Sequence, residues 1–149
     1  MTLNACGQKS MILFSKSENT SPVINIPLRA DALLEKNANY FVIQFQKLTG
    51  ENLKIERSDG FNKNNTYISL RVNPTLRNEF CIQKSDKNIV IQAVDNKNLD
   101  FAISYFFQRY TVYNPDNFNS QTTDNIVIPE RFNYCASPDF KYREPYFSP

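Results

Sequence analysis

The sequence predicts a two-layer α/β (α+β) sandwich: a mixed, largely antiparallel sheet with two helices on one of its faces. Three observations predict it. Two stretches repeat apolar residues at helical spacing, several shorter ones alternate like strands, and their order runs strand, helix, strand, strand, strand, strand, helix. Two amphipathic helices of this kind need one sheet to bury them. A length of 149 residues suits a single domain with a real core, and 41% hydrophobic with 13% aromatic residues describes a chain that folds.

Residues 1–21 read as a polar lead-in or tether around the short patch Met11-Ile12-Leu13-Phe14. Val23-Ile24-Asn25-Ile26 is a short strand, and Pro22 and Pro27 on either side suit an edge or strand-terminal position. The organising element is the helix over residues 30–50. Leu34, Ala38, Phe41, Phe45 and Leu48 recur at spacings of three and four, while Glu35, Lys36, Asn39, Gln46 and Lys47 fall largely on the other side. Asp31 and Lys47 complement the helix dipole, and Gly50 stands where a left-handed cap residue is needed.

After Gly50 the period switches from helix to strand at Leu53-Lys54-Ile55-Glu56, and Asp59-Gly60 marks a turn. Residues 66–72 form the clearest strand, with Ile68, Leu70 and Val72 opposed to Tyr67, Ser69 and Arg71. Residues 80–84 and 88–94 are joined by Ser85-Asp86-Lys87, a connection short enough for an antiparallel hairpin. The second helix is capped by Asn96 or Asn98, runs to about Tyr110, and presents Leu99, Ala102, Ile103, Phe106 and Phe107 on one side. Residues 22–113 are thus one α/β domain. Residues 114–137 read as an exit segment with one apolar island, Ile126-Val127-Ile128, and residues 138–149 alternate like the first strand of a further domain.

Composition excludes more than it assigns. A net charge of +2 from 17 basic and 15 acidic residues, without a long run of one sign, argues against nucleic acid as a partner. With no His there is no Ser-His-Asp triad, no Cys-His dyad and no imidazole metal ligand. No metal-ligand spacing, Gly-rich phosphate loop or paired-acid motif is present, so neither a metal nor a cofactor is expected and an enzyme complete in this length is disfavoured. Cys6, Cys81 and Cys135 form no even framework, and Cys81, inside an apolar run, reads as a small buried hydrophobe. Leu3-Asn4-Ala5-Cys6-Gly7 resembles the end of a bacterial lipoprotein signal, which makes Cys6 a candidate for lipidation. The charged start and apolar core of a signal peptide are missing ahead of Leu3, as in a sequence that begins inside a trimmed signal. No stretch approaches the ~18 apolar residues needed to span a bilayer, so a lipid anchor is the one membrane contact expected.

Taken in order, the apolar strand, the helix ending Leu48-Thr49-Gly50, Tyr67-Ile68-Ser69-Leu70, the hairpin, the run from Asn98 to Tyr110 and Ile128-Pro129 resemble a known domain. It is the non-catalytic domain that precedes the TIM barrel in bacterial glycoside hydrolases of the α-glucuronidase and β-N-acetylhexosaminidase type. Pro138-Asp139-Phe140-Lys141-Tyr142-Arg143-Glu144 resembles the junction with the first barrel strand, and the likeness covers roughly residues 22–147. The resemblance implies that Arg143 matches an arginine that binds sugar hydroxyls in the hexosaminidase-like relatives, a task suited to a guanidinium fork. Those relatives usually carry Gly at the next position, where this chain has Glu144.

The implied function is a non-catalytic accessory domain of a carbohydrate-acting hydrolase. Its partner is an adjacent TIM barrel, it sits in the cell envelope, and it has no turnover of its own. The carboxylate pair of a glycosidase must be held ~5 to 9.5 Å apart across the scissile bond. That pair would come from later barrel strands, so Glu130, Asp139 and Glu144 are read as solvated charges. The alternative is a free-standing surface lipoprotein that binds glycans or a protein, with Tyr113, Phe118, Phe132 and Tyr134 as stacking platforms. Against it, the same rings could pack the exit segment onto the domain.

Overall fold

The computed structural model describes residues 9–60, 64–111 and 122–136. Its strands are β1 (Ser10–Ser15), β2 (Val23–Ile26), β3 (Ile55–Arg57), β4 (Tyr67–Val72), β5 (Phe80–Ser85), β6 (Asn88–Ala93), β7 (Asn125–Pro129) and β8 (Phe132–Cys135), with helices α1 (Ala32–Thr49) and α2 (Asn96–Tyr110). Six strands form one sheet in the order β3-β2-β4-β6-β5-β8, and β1 pairs with β7 in a separate antiparallel ribbon. The sheet is mixed, as the sequence predicts. β3, β2, β4 and β6 run parallel, β5 and β8 add antiparallel ladders beside them, and over both sheets the two kinds of ladder are equal in number.

Strand alternation sorts the side chains. Ile24 pairs with Ile68 and Ile68 with Ile89, and Leu70 pairs with Ile91 and Ile91 with Ile82; all are buried in the core beneath the helices. The opposite face carries the row Asn25, Ser69, Val90, Gln83. Pro22 and Pro27 lie just outside β2, so β2 keeps its ladders on both sides and sits between β3 and β4.

The signals that delimit α1 act where the sequence puts them. Asp31 is the N-cap, its carboxylate accepting from the Leu34 N–H at 2.8 Å. Gly50 closes the helix at φ 80°, and its N–H donates to the Gln46 carbonyl at 2.7 Å. A Cβ at this position would meet nothing closer than Thr122 Cγ2 at 3.7 Å, so substitution costs backbone strain alone. Gly50→Ala is therefore expected to lose about 1–2 kcal/mol in thermal melting, with Gly50→Asn recovering part of it.

The cap of α2 differs from expectation: it is Asp95, not Asn96 or Asn98. Its carboxylate accepts from the Asn98 N–H at 2.8 Å and from Asn98 Nδ2 at 3.0 Å. No acidic residue lies in the first turn of α2, so Asp95 supplies the only negative charge there, which a neutral Asn could not.

The lead-in carries a strand that docks on the domain. A bulge between Ile12 and Phe14 turns the consecutive residues Leu13 and Phe14 both inward, and both are buried. Phe14 meets Phe45 of α1 edge-on at 5.5 Å. The exit segment contributes two strands, the apolar island as β7 and a second, unforeseen one as β8.

β8 also corrects the reading of the cysteines. Cys81 and Cys135 are register partners on β5 and β8 and form a disulfide across 54 residues of sequence. Cys81 is buried, as expected of it, but as half of a crosslink. Local spacing could not show this pairing, because it depends on a strand register that exists only once β8 has joined the sheet.

Candidate functional site

Among the described residues three surfaces of the six-stranded sheet and its helices could carry a function, and each is built by different elements. The first is the seam where β8 meets α2. Lying two residues apart on β8, Phe132 and Tyr134 share a side, and the Cys81–Cys135 bond on the other side pins the strand. Tyr134 stacks on Tyr105 at 4.6 Å and 7°, and Phe132 stacks on Tyr110 at 4.2 Å and 17°. Phe80 closes the cluster, 5.8 Å from Tyr105 and 6.0 Å from Tyr134. Burial, with the neighbouring phenol rings, pushes the Tyr105 and Tyr110 hydroxyls up, and Arg109 opposes the shift at both. These ring faces are engaged with one another. Phe132 and Tyr134 therefore pack the exit segment onto the domain.

At the far end of the same ladder lies Lys84, a buried lysine. Its ammonium donates to the Asp86 carbonyl across the β5–β6 turn. Burial lowers its pKa, Asp86 and Glu130 partly restore it, and Arg131 adds to the lowering. Glu130 itself is held in the β7–β8 turn, where its N–H donates to the Lys9 carbonyl at 2.8 Å. The geometry gives both residues a role in closing turns.

The second surface is the sheet face opposite the helices. Arg71 on β4 reaches across to β2, where Nη1 donates to the Asn25 carbonyl at 3.1 Å and Nη2 to Asn25 Oδ1 at 2.5 Å. Asn25 in turn donates to the Ser58 carbonyl at 3.3 Å, tying the loop after β3 to the sheet. Burial lowers the Arg71 pKa, with Asp59 opposing. Tyr67 donates to Glu56 at 3.3 Å. Beside these bonds the Ser69 hydroxyl is buried with no hydrogen-bond partner. The bonds lock β2, β3 and β4 together.

The third surface is the outer side of the helix layer. α1 and α2 leave a groove of about 470 Å³ between their N-terminal halves, walled by Leu33, Lys36 and Tyr40 from α1 and by Lys97 and Asp100 from α2. Side-chain hydrogen bonds join the two helices beside it: Asn37 Nδ2 donates to Asn96 Oδ1 at 3.1 Å, and the Tyr40 and Ser104 hydroxyls are 3.0 Å apart. Leu33 and Ile43 stand largely in water beside it. A sequence signal for this surface exists: both residues fall outside the apolar stripe of α1, on a side otherwise made of charged and amide residues.

Lys36 and Lys47 lie on that side and are exposed, with no ion pair among the described residues. Changing both to Ser is expected to move the stability of this chain by no more than about 0.5 kcal/mol in a thermal melt.

Arg143, Asp139, Glu144, Cys6, Tyr113 and Phe118 lie outside the described residues. Among the described residues no group of three or more Cys, Asp and Glu converges as a metal site, and no helix is long and apolar enough to cross a membrane.

No protein-family model matches the sequence, and no curated protein does. The fold, however, recurs in solved structures. It is similar to part of the GH20 β-N-acetylhexosaminidase from Streptomyces coelicolor A3(2), with a TM-score of 0.61 at 12% identity over 92% of this chain and 25% of that one. It is also similar to part of the GH20 exo-β-N-acetylglucosaminidase from Vibrio harveyi, with a TM-score of 0.57 at 16% identity over 91% of this chain and 18% of that one. The chain thus spans about a quarter or less of the proteins it matches. At these identities the likeness is one of fold.

Proposed function

We propose that this chain is a non-catalytic accessory domain of a carbohydrate-acting hydrolase, placed before a TIM barrel that carries the chemistry. One observation supports this reading above the others. Nearly the whole chain shares its fold with 25% of a β-N-acetylhexosaminidase and with 18% of an exo-β-N-acetylglucosaminidase. The described surfaces agree with a structural role: Arg71 and Asn25 tie β4 to β2, and the aromatic rings of the β8 seam pack on α2. On this reading Arg143 enters the first barrel strand and donates to sugar hydroxyls of the substrate. Residues 114–137 and 138–149 are then the exit from the domain and the beginning of the barrel.

Reading the coding sequence beyond Pro149 tests the proposal. A frame that continues into a barrel with two carboxylates placed across its mouth is the expected result. A stop codon there would sink it.

The disulfide supports a location in the cell envelope, since such bonds persist in oxidising compartments. It uses two of the three cysteines and leaves Cys6, whose sequence context fits lipidation. Intact mass of the native protein should then show a diacylglycerol adduct on Cys6 and no free thiol. An unmodified Cys6 thiol would argue against the anchor.

A further inference from the structure

We propose that the outward face of the β1–β7 ribbon rests on the lipid bilayer once Cys6 carries its anchor, and that this contact fixes how the domain stands on the membrane. The proposal rests on the lipidation of Cys6 and adds to it the surface that meets the lipid. Strand alternation builds that surface. The bulge after Ile12 turns Leu13 and Phe14 into the core, and Ile126 and Ile128 of β7 are buried with them. Ile12 and Val127, which are register partners, are left on the outward side, 43% and 54% exposed. Among the described residues they are the two exposed large apolar side chains that face each other across a strand pair. The next pair on that side is Ser10 with Pro129, so the outward face carries no charge along this stretch.

The tether selects this part of the molecule. From Cys6 to Ser10 the chain reaches at most about 14 Å even when fully extended. A domain of 149 residues is about 40 Å across. An anchor on Cys6 therefore brings to the bilayer the surface around the start of β1, and the uncharged face of the ribbon begins there.

Charge and size select lipid as the occupant. Lys9, Glu130 and Arg131 stand at one end of the ribbon and Lys16, Glu18 and Asp124 at the other, basic and acidic in equal number. Attraction to anionic headgroups is thus not what holds the face; burial of Ile12 and Val127 is. The patch is also far smaller than the ~800 Å² per partner of an ordinary protein interface, so by itself it would not hold a second copy. On a membrane the acyl chains supply the affinity and the patch has only to set the orientation.

The chain has no Trp, and Cys6 is the one cysteine outside the disulfide, so a single Trp can report depth and a single thiol can carry the lipid. The 149-residue protein is coupled through Cys6 to phosphatidylcholine vesicles containing a maleimide-bearing phosphatidylethanolamine. Val127→Trp is the reporter. Lys36→Trp is the control, about 18 Å of helix away from Leu48, whose carbonyl accepts from the Thr123 N–H just before β7. On the vesicles the Val127→Trp emission should move about 10 nm to the blue and lose about half its intensity in brominated phosphatidylcholine, since such a face seats about 5–10 Å into the headgroup boundary. Lys36→Trp should do neither. Adding Ile12→Glu to the reporter should remove both effects while the coupled protein still floats with the vesicles, and should leave the melting temperature within about 2 °C. Phosphatidylglycerol or added salt should change nothing.

A coupled reporter that is not quenched, or a control quenched as strongly, overturns the proposal. Quenching that appears only with phosphatidylglycerol overturns it as well, because charge would then hold the face. If the emission of the uncoupled reporter moves to the blue as protein concentration rises, the face belongs to a second copy and the proposal fails. The anchor is tested separately by the intact mass of the native protein. An unmodified Cys6 there withdraws the anchored state and the proposal with it, whereas failure on the vesicles leaves lipidation standing.

Discussion

Phe45→Asp is expected to abolish cooperative folding of this domain. Phe45 is fully buried and joins two parts of the core: Phe14 of β1 meets it edge-on at 5.5 Å, and Phe41, one turn earlier on α1, stacks at 6.4 Å. Truncating a buried phenylalanine costs about 3–5 kcal/mol. An aspartate there adds the desolvation of a carboxylate with no partner in reach, several kcal/mol more, or else a proton taken up to avoid it. The sum is comparable with the whole stability of an ordinary domain, about 5–15 kcal/mol. Circular dichroism should show no sigmoidal melt for Phe45→Asp and a melt lowered by only a few degrees for Phe45→Leu, which keeps most of the apolar volume. A Phe45→Asp protein that melts like its parent would overturn the packing of α1 on the sheet.

The second large effect is expected from the disulfide. Replacing Cys81 and Cys135 by Ala frees a loop of 54 residues' separation, and the loss of loop-closure restraint corresponds to about 4 kcal/mol. For a domain of this size that is a fall in Tm on the order of 10 °C. Adding a reductant to the parent should reproduce the fall and should leave the double variant unmoved. Because β8 is an edge strand held on one side by β5, the loss should be concentrated there. Near-ultraviolet dichroism from the Tyr105–Tyr134 and Tyr110–Phe132 stacks should weaken before the helix signal does. A parent indifferent to reductant would mean that the crosslink carries none of the fold.

Both expectations follow from features of different visibility in the sequence. Phe45 announces itself, because Leu34, Ala38, Phe41 and Phe45 fall on one side of any helix drawn through them, and that side is the buried one. Asp31 and Gly50 mark the ends of the helix by chemistry that acts within one turn. Cys135 announces nothing. Its partner lies 54 residues away, and the strand that carries it, Phe132–Cys135, is too short and too polar to stand out from the segment around it. The lead-in shows a middle case: Met11-Ile12-Leu13-Phe14 is visible as an apolar patch, but its pairing with Asn125–Pro129 joins residues from opposite ends of the chain.

The candidate surfaces divide in the same way. Leu33 and Ile43 are legible as apolar residues on the wrong side of α1, yet the groove beside them exists only once α1 and α2 lie side by side. Phe132 and Tyr134 are legible as aromatic residues, and only the tertiary structure stacks them on Tyr110 and Tyr105 of α2. What the sequence by itself determined is the set of elements: two amphipathic helices with their stops, the alternating strands, and a sandwich as the way to bury both stripes. These follow from periodicity and capping, which act over a few residues. Tertiary structure alone decided which strands run parallel, that both ends of the described chain add strands to the domain, that Cys81 finds Cys135, and which apolar residues remain in water. Those outcomes depend on register between distant segments, which is set by the packing of the whole core and by no local pattern.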